Sequence, residues 1–342
     1  MILDVDTGID DSLALLYLLA SPEAQILGIA ATAGNVGTAQ VAANTLAMLD
    51  LGGAGEIEVA AGADGPLAIP LRTTEDTHGP QGLGYAELPV SARALSGRSA
   101  ARMWAELARA HPGAIGLCTG PLTNLALALR LEPELPRLLG RLVIMGGAFQ
   151  HPGNTTPTNE WNIHVDPEAA KEVFDAFSAA PPQRRPLVCA LDITETIEMR
   201  PAHLARLAEA AGSAPVELPA AGQGAAWRSA ASNPVLRYLV DAVRFYFDFH
   251  HGYDLGYLAH MHDPFAAAVA LDPALVTTRP ATVDVELAGT ITRATTVADW
   301  AGMWGRQPNA DIAVGTDPAV FFDRLITRVG AYARRLYPEP PA

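Results

Sequence analysis

The chain has 342 residues, a formal charge of −14 and 49% apolar residues, which fits a folded, enzyme-sized core of Ala, Leu and Val. That charge speaks against a nucleic-acid backbone as partner, which needs clustered Lys and Arg. No run of about eighteen uncharged apolar residues marks a membrane span, and a chain opening on MILDVD without a basic leader reads as cytoplasmic.

In chain order, apolar strands are predicted at 1–4, 26–31, 57–61, 114–118, 142–145 and 187–191. Helical patterns separate them at 12–20, 38–51, 99–110 and 167–177. Strands that are apolar throughout and alternate with helices predict an α/β fold with a mainly parallel central sheet, open and flanked by helices on both faces. Ligands of such sheets collect at the carboxyl ends of the strands. Cys118 and Cys189 fall in strand-like runs and read as reduced core thiols. After Arg200 helices dominate, 234–249 among them, and the Ala, Gly and Pro-rich tract 209–224 reads as a mobile loop. A small β-rich part at 282–296 and a helix at 319–336 come next, closed by PEPPA. The expected organisation is one domain, 1–342, with a helical and loop insertion at about 200–260 lying over the site.

The first strand runs into LDVDTGIDD, which sets Asp4, Asp6, Asp10 and Asp11 beside a long apolar run. Like charges so placed repel, and burial raises the penalty. Asp10 or Asp11 can cap the following helix, which accounts for one of them. A hard divalent cation accounts for the set, because calcium takes six to eight oxygen ligands from carboxylates and carbonyls. With a turn at Gly8, Asp6 and Asp11 face one ion, and Asp10 sits beside a metal-bound water whose proton it can take.

Two other chemistries compete. Asp4-Val5-Asp6-Thr7-Gly8 also resembles the opening motif of haloacid-dehalogenase-like phosphatases, with Asp4 attacking phosphorus and Mg²⁺ bound. Such enzymes need a lysine after a later strand, and the sole lysine, Lys171, lies inside the helical DPEAAKEVFDAF. His260-Met261-His262-Asp263 raises zinc, without an HExxH or paired CxxC to support it.

DVDTGIDDSLA resembles the DxDxGxDDxxA signature of the inosine–uridine nucleoside hydrolases. AGNVG at 33–37, HGPQGLG at 78–84, CTGPLTNLA at 118–126, VIMGGA at 143–148, GNTTPTNEWNIHVDPEAA at 153–170 and HDPFA at 262–266 continue the resemblance in order. It departs by one extra residue between MGGA and GN, by EWN for EFN and by PTNE for PSAE, and it is thin from 200 to 260.

The resemblance implies calcium-dependent hydrolysis of a ribonucleoside to free base and ribose, on a Rossmann-like nucleoside hydrolase fold assembled as a homodimer or homotetramer. Asp6, Asp11, Asp263 and the carbonyl of Thr119 would bind Ca²⁺, with Asp10 as general base. Asn35, Asn154, Glu160 and Asn162 would bond the sugar hydroxyls, which need donors and acceptors together. Glu160 and Asn162 flank Trp161 with the spacing of alternate strand residues, on one face. Met145 would pack near the ribose. His262 would assist the leaving base, with His78 and Tyr253 lining the base pocket; a bare helix cap is the other reading of His262. A non-catalytic calcium-dependent sugar- or nucleoside-binding protein is the reading without chemistry.

Overall fold

A strand buried on both faces must be apolar on both, and such strands in this chain pair side by side. The computed structural model describes residues 1–338. Its strands are β1 (Ile2–Val5), β2 (Gly28–Ala31), β3 (Val59–Ala61), β4 (Ile115–Cys118), β5 (Arg141–Met145), β6 (Leu187–Cys189), β7 (Glu198–Met199), β8 (Ala259–His260), β9 (Val276–Val285), β10 (Thr296–Asp299) and β11 (Ala310–Thr316). A nine-stranded sheet has the order β10-β9-β11-β6-β5-β4-β1-β2-β3. From β3 to β11 every pairing is parallel, and β9 and β10 add an antiparallel edge. β7 and β8 form a separate antiparallel pair.

Side chains alternate across the sheet. Leu3 and Val5 join a core with helices Ile9–Leu19 and His262–Leu271, whereas Ile2, Leu142 and Ile144 join one with Trp104 of helix Ala100–Ala110. Connections leave β1 toward β2 on one side while β4 flanks it on the other. The strand order reverses at β1, and the crevice beyond its carboxyl end is the place where ligands of such sheets bind.

The six early strands appear where expected, their ends shifted by at most two residues. Three differences matter more. The first helix begins at Ile9 rather than 12, so Asp10 and Asp11 lie inside its first turn, where anionic side chains meet free N–H groups. The small β-rich part is present as the antiparallel β9–β10 pair, with other bounds: β9 runs to Val285, β10 starts at Thr296, and a loop joins them. The tract 209–224 begins inside helix Pro201–Ala211, and the loop starts only after Ala211. The last helix spans Pro318–Leu336, and of the closing PEPPA only Pro338 lies within the described residues. Both cysteines are buried and free, and no helix among the described residues is long and apolar enough to cross a membrane.

Candidate active site

A cavity of about 760 Å³ opens at the carboxyl ends of β1, β4 and β5. β1 delivers Asp6 to its floor, the helix starting at Ile9 delivers Asp10 and Asp11, and the helix starting at His262 delivers Asp263 in its first turn. All four carboxylates are buried. Asp10, Asp11 and Asp263 each bring an oxygen within 4.8 Å of the others. Asp11 is fixed twice: Oδ2 accepts the Gly8 N–H at 2.9 Å and Oδ1 accepts the Thr119 hydroxyl at 2.7 Å. Asp6 Oδ2 accepts the Asn35 N–H at 2.9 Å, while its buried Oδ1 has no partner.

Gly8 is needed for closeness rather than for a turn. Its φ of −105° suits any residue, but a Cβ there would lie 2.5 Å from His78 Nδ1 and 2.6 Å from Asn35 Nδ2. A side chain at position 8 would push the cavity's two polar walls apart.

Burial holds these carboxyls above their usual range, and repulsion adds to it at Asp6, Asp10 and Asp263. Asp6 and Asp263 are pushed well up, by burial first and then by Asp11 and Asp10 respectively. Burial and the Asp11 charge raise Asp10 to about 7. No lysine or arginine among the described residues lines the cavity. A buried ion with no opposite charge costs several kcal/mol, so the cluster has the electrostatics of a cation site. The donors are all oxygen, as a hard cation requires.

On the sugar side, Asn35 Nδ2 donates to the Asp6 carbonyl at 3.2 Å, and Asn162 Nδ2 donates to the carbonyls of Thr119 at 2.7 Å and Met145 at 3.2 Å. The Thr119 carbonyl keeps a second lone pair. Asn154 Oδ1 accepts the Trp161 N–H at 3.0 Å. The strand spacing expected around Trp161 is wrong. Glu160 is instead the N-cap of helix Trp161–Val165, its oxygens accepting the N–H groups of Asn162, Ile163 and Gly147 at 2.8–3.0 Å. Glu160 and Asn162 still line one cavity, because the free N–H groups of a helix end bind a carboxylate as firmly as a strand would orient it.

The opposite wall is aromatic and rich in histidine. Ile9 N–H donates to His78 Nδ1 at 3.3 Å, and Tyr246 Oη stands 3.0 Å from His78 Nε2 and 3.3 Å from Asp10 Oδ1. Burial lowers His78 to about 3, so its ring is neutral and Nε2 carries the hydrogen. The chain therefore runs Ile9 N–H to His78, His78 N–H to Tyr246, and Tyr246 O–H to Asp10. Tyr246 was not among the residues singled out from sequence; its only signal there was an aromatic run, RFYFDFHH, on a helix. His262 begins its helix, but its ring is no cap: Nδ1 pairs with the Thr194 hydroxyl at 2.7 Å. Burial, then His260, hold His262 well below its ordinary value. Tyr253 stands at the rim, 64% exposed. Every residue that the resemblance assigns to the site lines this cavity except Asp11, which is buried within the acidic group itself.

Asp4 is elsewhere. It points across the sheet, where Trp104 Nε1 donates to Oδ2 at 2.8 Å and Asn124 Nδ2 donates to Oδ1 at 3.0 Å. Lys171 pairs with Asp284 at 2.7 Å and Asp175 at 3.3 Å on the outside of its helix. Neither the nucleophile nor the lysine of a phosphatase faces the cavity.

A parallel sheet with an acid-floored cavity at its switch point defines an α/β protein with a ligand site, and comparison supplies the class. The profile of the inosine-uridine preferring nucleoside hydrolase family matches residues 1–323. The pyrimidine-specific ribonucleoside hydrolase RihA of Salmonella paratyphi B is 35% identical over 337 residues, 97% of this chain and 99% of the relative. RihA of Citrobacter koseri is 35% identical over 336 residues, 97% and 98% of the two chains. Among solved structures, a purine-preferring ribonucleoside hydrolase from Gardnerella vaginalis superposes with a TM-score of 0.85 at 31% identity, covering 98% and 99% of the two chains. A plant nucleoside hydrolase, PpNRh1, gives 0.83 at 29% identity, covering 96% and 98%. The chain belongs to the inosine-uridine preferring nucleoside hydrolase family and is a nucleoside hydrolase.

Proposed function

We propose that the protein hydrolyses the N-glycosidic bond of ribonucleosides, uridine and cytidine among them, in a calcium-dependent reaction. The observation that carries this reading is the buried acidic cluster on the cavity floor, with no basic side chain to balance it. Asp6, Asp11, Asp263 and the Thr119 carbonyl would hold the ion. Calcium bound there would supply a more acidic water and an anchor for the 2′- and 3′-hydroxyls.

The chain's own groups do the rest. Asp10 takes the proton of the attacking water, and its raised pKa of about 7 makes it a base matched to neutral pH. Asn35, Asn154, Glu160 and Asn162 grip the sugar while positive charge grows at the anomeric carbon, and Met145 packs beneath it. His262, neutral through burial, serves as an N–H donor toward the base as electrons flow into it; His78 and Tyr253 shape that end of the cavity. The relatives named pyrimidine-specific support the pyrimidine substrates.

A second reading of the base has an observation of its own. Within the acidic cluster Asp6 Oδ1 is buried with no hydrogen-bond partner, whereas Asp10 Oδ1 already accepts Tyr246. That oxygen can take the proton only if the ion does not hold it, so this reading removes Asp6 Oδ1 from the ligand set. The non-catalytic binding protein requires Asp10 turned away from the ion, and Asp10 instead shares the acidic group. In the proposed reading the whole chain acts as one unit in the cytoplasm, 200–260 covers the cavity, and the enzyme is a homodimer or homotetramer.

Incubation with uridine, cytidine and inosine in calcium, with ribose release as the readout, tests the reading. Ribose and free base from at least one of them is the expected result. Ribose-dependent heat stabilisation with no product from any would replace it with the binding protein.

A further inference from the structure

We propose that Arg244 is a positioning residue: it clamps the His78 loop and the 213–232 loop onto the helix that carries Tyr246, and so sets the base-side wall of the cavity. The proposal rests on the nucleoside hydrolase reading for its kinetic arm. Arg244 lies in helix Pro234–Gly252, does not line the cavity, and is wholly buried. A guanidinium stays charged, and burying it is costly unless partners surround it.

Its partners come from three separate segments. Within the helix, Nη1 donates to Asp248 Oδ2 at 3.2 Å. From the 213–232 loop, the carbonyls of Trp227 at 3.1 Å and Gln223 at 3.5 Å accept its N–H groups, and the Trp227 ring centroid is 5.2 Å from the guanidinium carbon. From the loop after His78, the Tyr85 ring lies 4.0 Å away, and the Tyr85 hydroxyl donates to the same Asp248 oxygen at 3.1 Å. Nε has no hydrogen-bond partner, and the two Nη groups and the ring faces meet their partners only when all three segments are seated together. Between Tyr85 and His78, Gly84 lies so close to the helix that a Cβ would sit 2.7 Å from the Ala242 carbonyl. One turn beyond that contact, Tyr246 meets His78 at 3.0 Å. The sugar ligands sit on other segments, Asn35 after β2 and Asn154, Glu160 and Asn162 around the helix Trp161–Val165, and none of them hydrogen-bonds Arg244, Tyr85 or Asp248. Loss of the clamp therefore displaces the groups facing the base and leaves the ribose grip in place.

The test compares Arg244→Met and Arg244→Lys with wild type, in calcium, on uridine and on nitrophenyl riboside, whose acidic phenol leaves without help. Arg244→Met should lower kcat on uridine between about tenfold and a hundredfold, the scale of a small misplacement of reacting groups. Its kcat on nitrophenyl riboside should fall severalfold less, the remaining loss coming through the Tyr246 hydrogen bond to Asp10, and inhibition by free ribose should stay within about twofold of wild type. Arg244→Lys, which keeps the charge and loses the fork, should fall between. Tyr85→Leu leaves the Arg244–Asp248 pair intact and should reproduce the uridine defect, so the proposal stands or falls even if Arg244→Met does not fold. Trypsin should cut after exposed Arg228 faster in each variant, a readout independent of activity. Equal losses on both ribosides, or a lower Tm with unchanged kcat on both, would overturn the positioning role. Wild type that cleaves neither riboside would refute the functional reading instead, and the trypsin rates would then decide the clamp alone.

Discussion

Replacing Asp10 by alanine should lower turnover of uridine by about a thousandfold or more while calcium still binds, because a general base contributes on that scale and Asp10 is outside the proposed ligand set. Replacing Asp6 by asparagine should weaken calcium binding and turnover together. The pair of variants separates the two bases. If Asp10→Ala retains substantial turnover at saturating calcium, the proton goes to Asp6, whose Oδ1 has no other partner. Steady-state kinetics beside calorimetric calcium titration of both variants checks this.

Exhaustive chelation should abolish turnover, and the chelated protein should lose stability as pH rises. Asp10 moves from an ordinary 3.8 to about 7 in the folded chain. A carboxyl raised by folding binds its proton more tightly in the native state, so its contribution is fully present below 3.8 and is lost as pH climbs through about 7. Asp6, Asp11 and Asp263 shift in the same direction and add to the effect. Calcium replaces those protons, so its binding should release protons below about pH 7 and its apparent affinity should rise with pH. Thermal melts of chelated and calcium-loaded protein from pH 5 to 8 read both effects. A chelated protein whose Tm rises across that range would contradict the repulsion of buried carboxylates without an ion.

Much of the fold was legible in the sequence, and for physical reasons. Apolar strands separated by helices left few ways to assemble the sheet, and aspartates at a strand end had no structural use that explained all of them. Asp263 and Asn162 lie far along the chain from Asp6, and only the resemblance, not local spacing, joined them to the cluster. What local pattern missed was set by tertiary contact. The Glu160–Asn162 alternation looked like a strand because two polar residues flanked an aromatic one; the N–H groups of Gly147, Asn162 and Ile163 turned Glu160 into a helix cap instead. Gly8 looked like a turn glycine, but the crowding of His78 and Asn35, distant in sequence, is what excludes a side chain there. Tyr246 and Arg244 were invisible because one aromatic and one arginine on an amphipathic helix have no distinguishing mark until their neighbours from positions 78, 85 and 227 arrive.

One cation drawing distant carboxylates together is the central claim, and a crystal structure with calcium and ribose tests it most directly. The expected result is a single ion between Asp6, Asp11, Asp263 and the Thr119 carbonyl, its remaining positions taken by water and two ribose hydroxyls. A cavity without an ion in saturating calcium, or an ion bound away from these four residues, would contradict it.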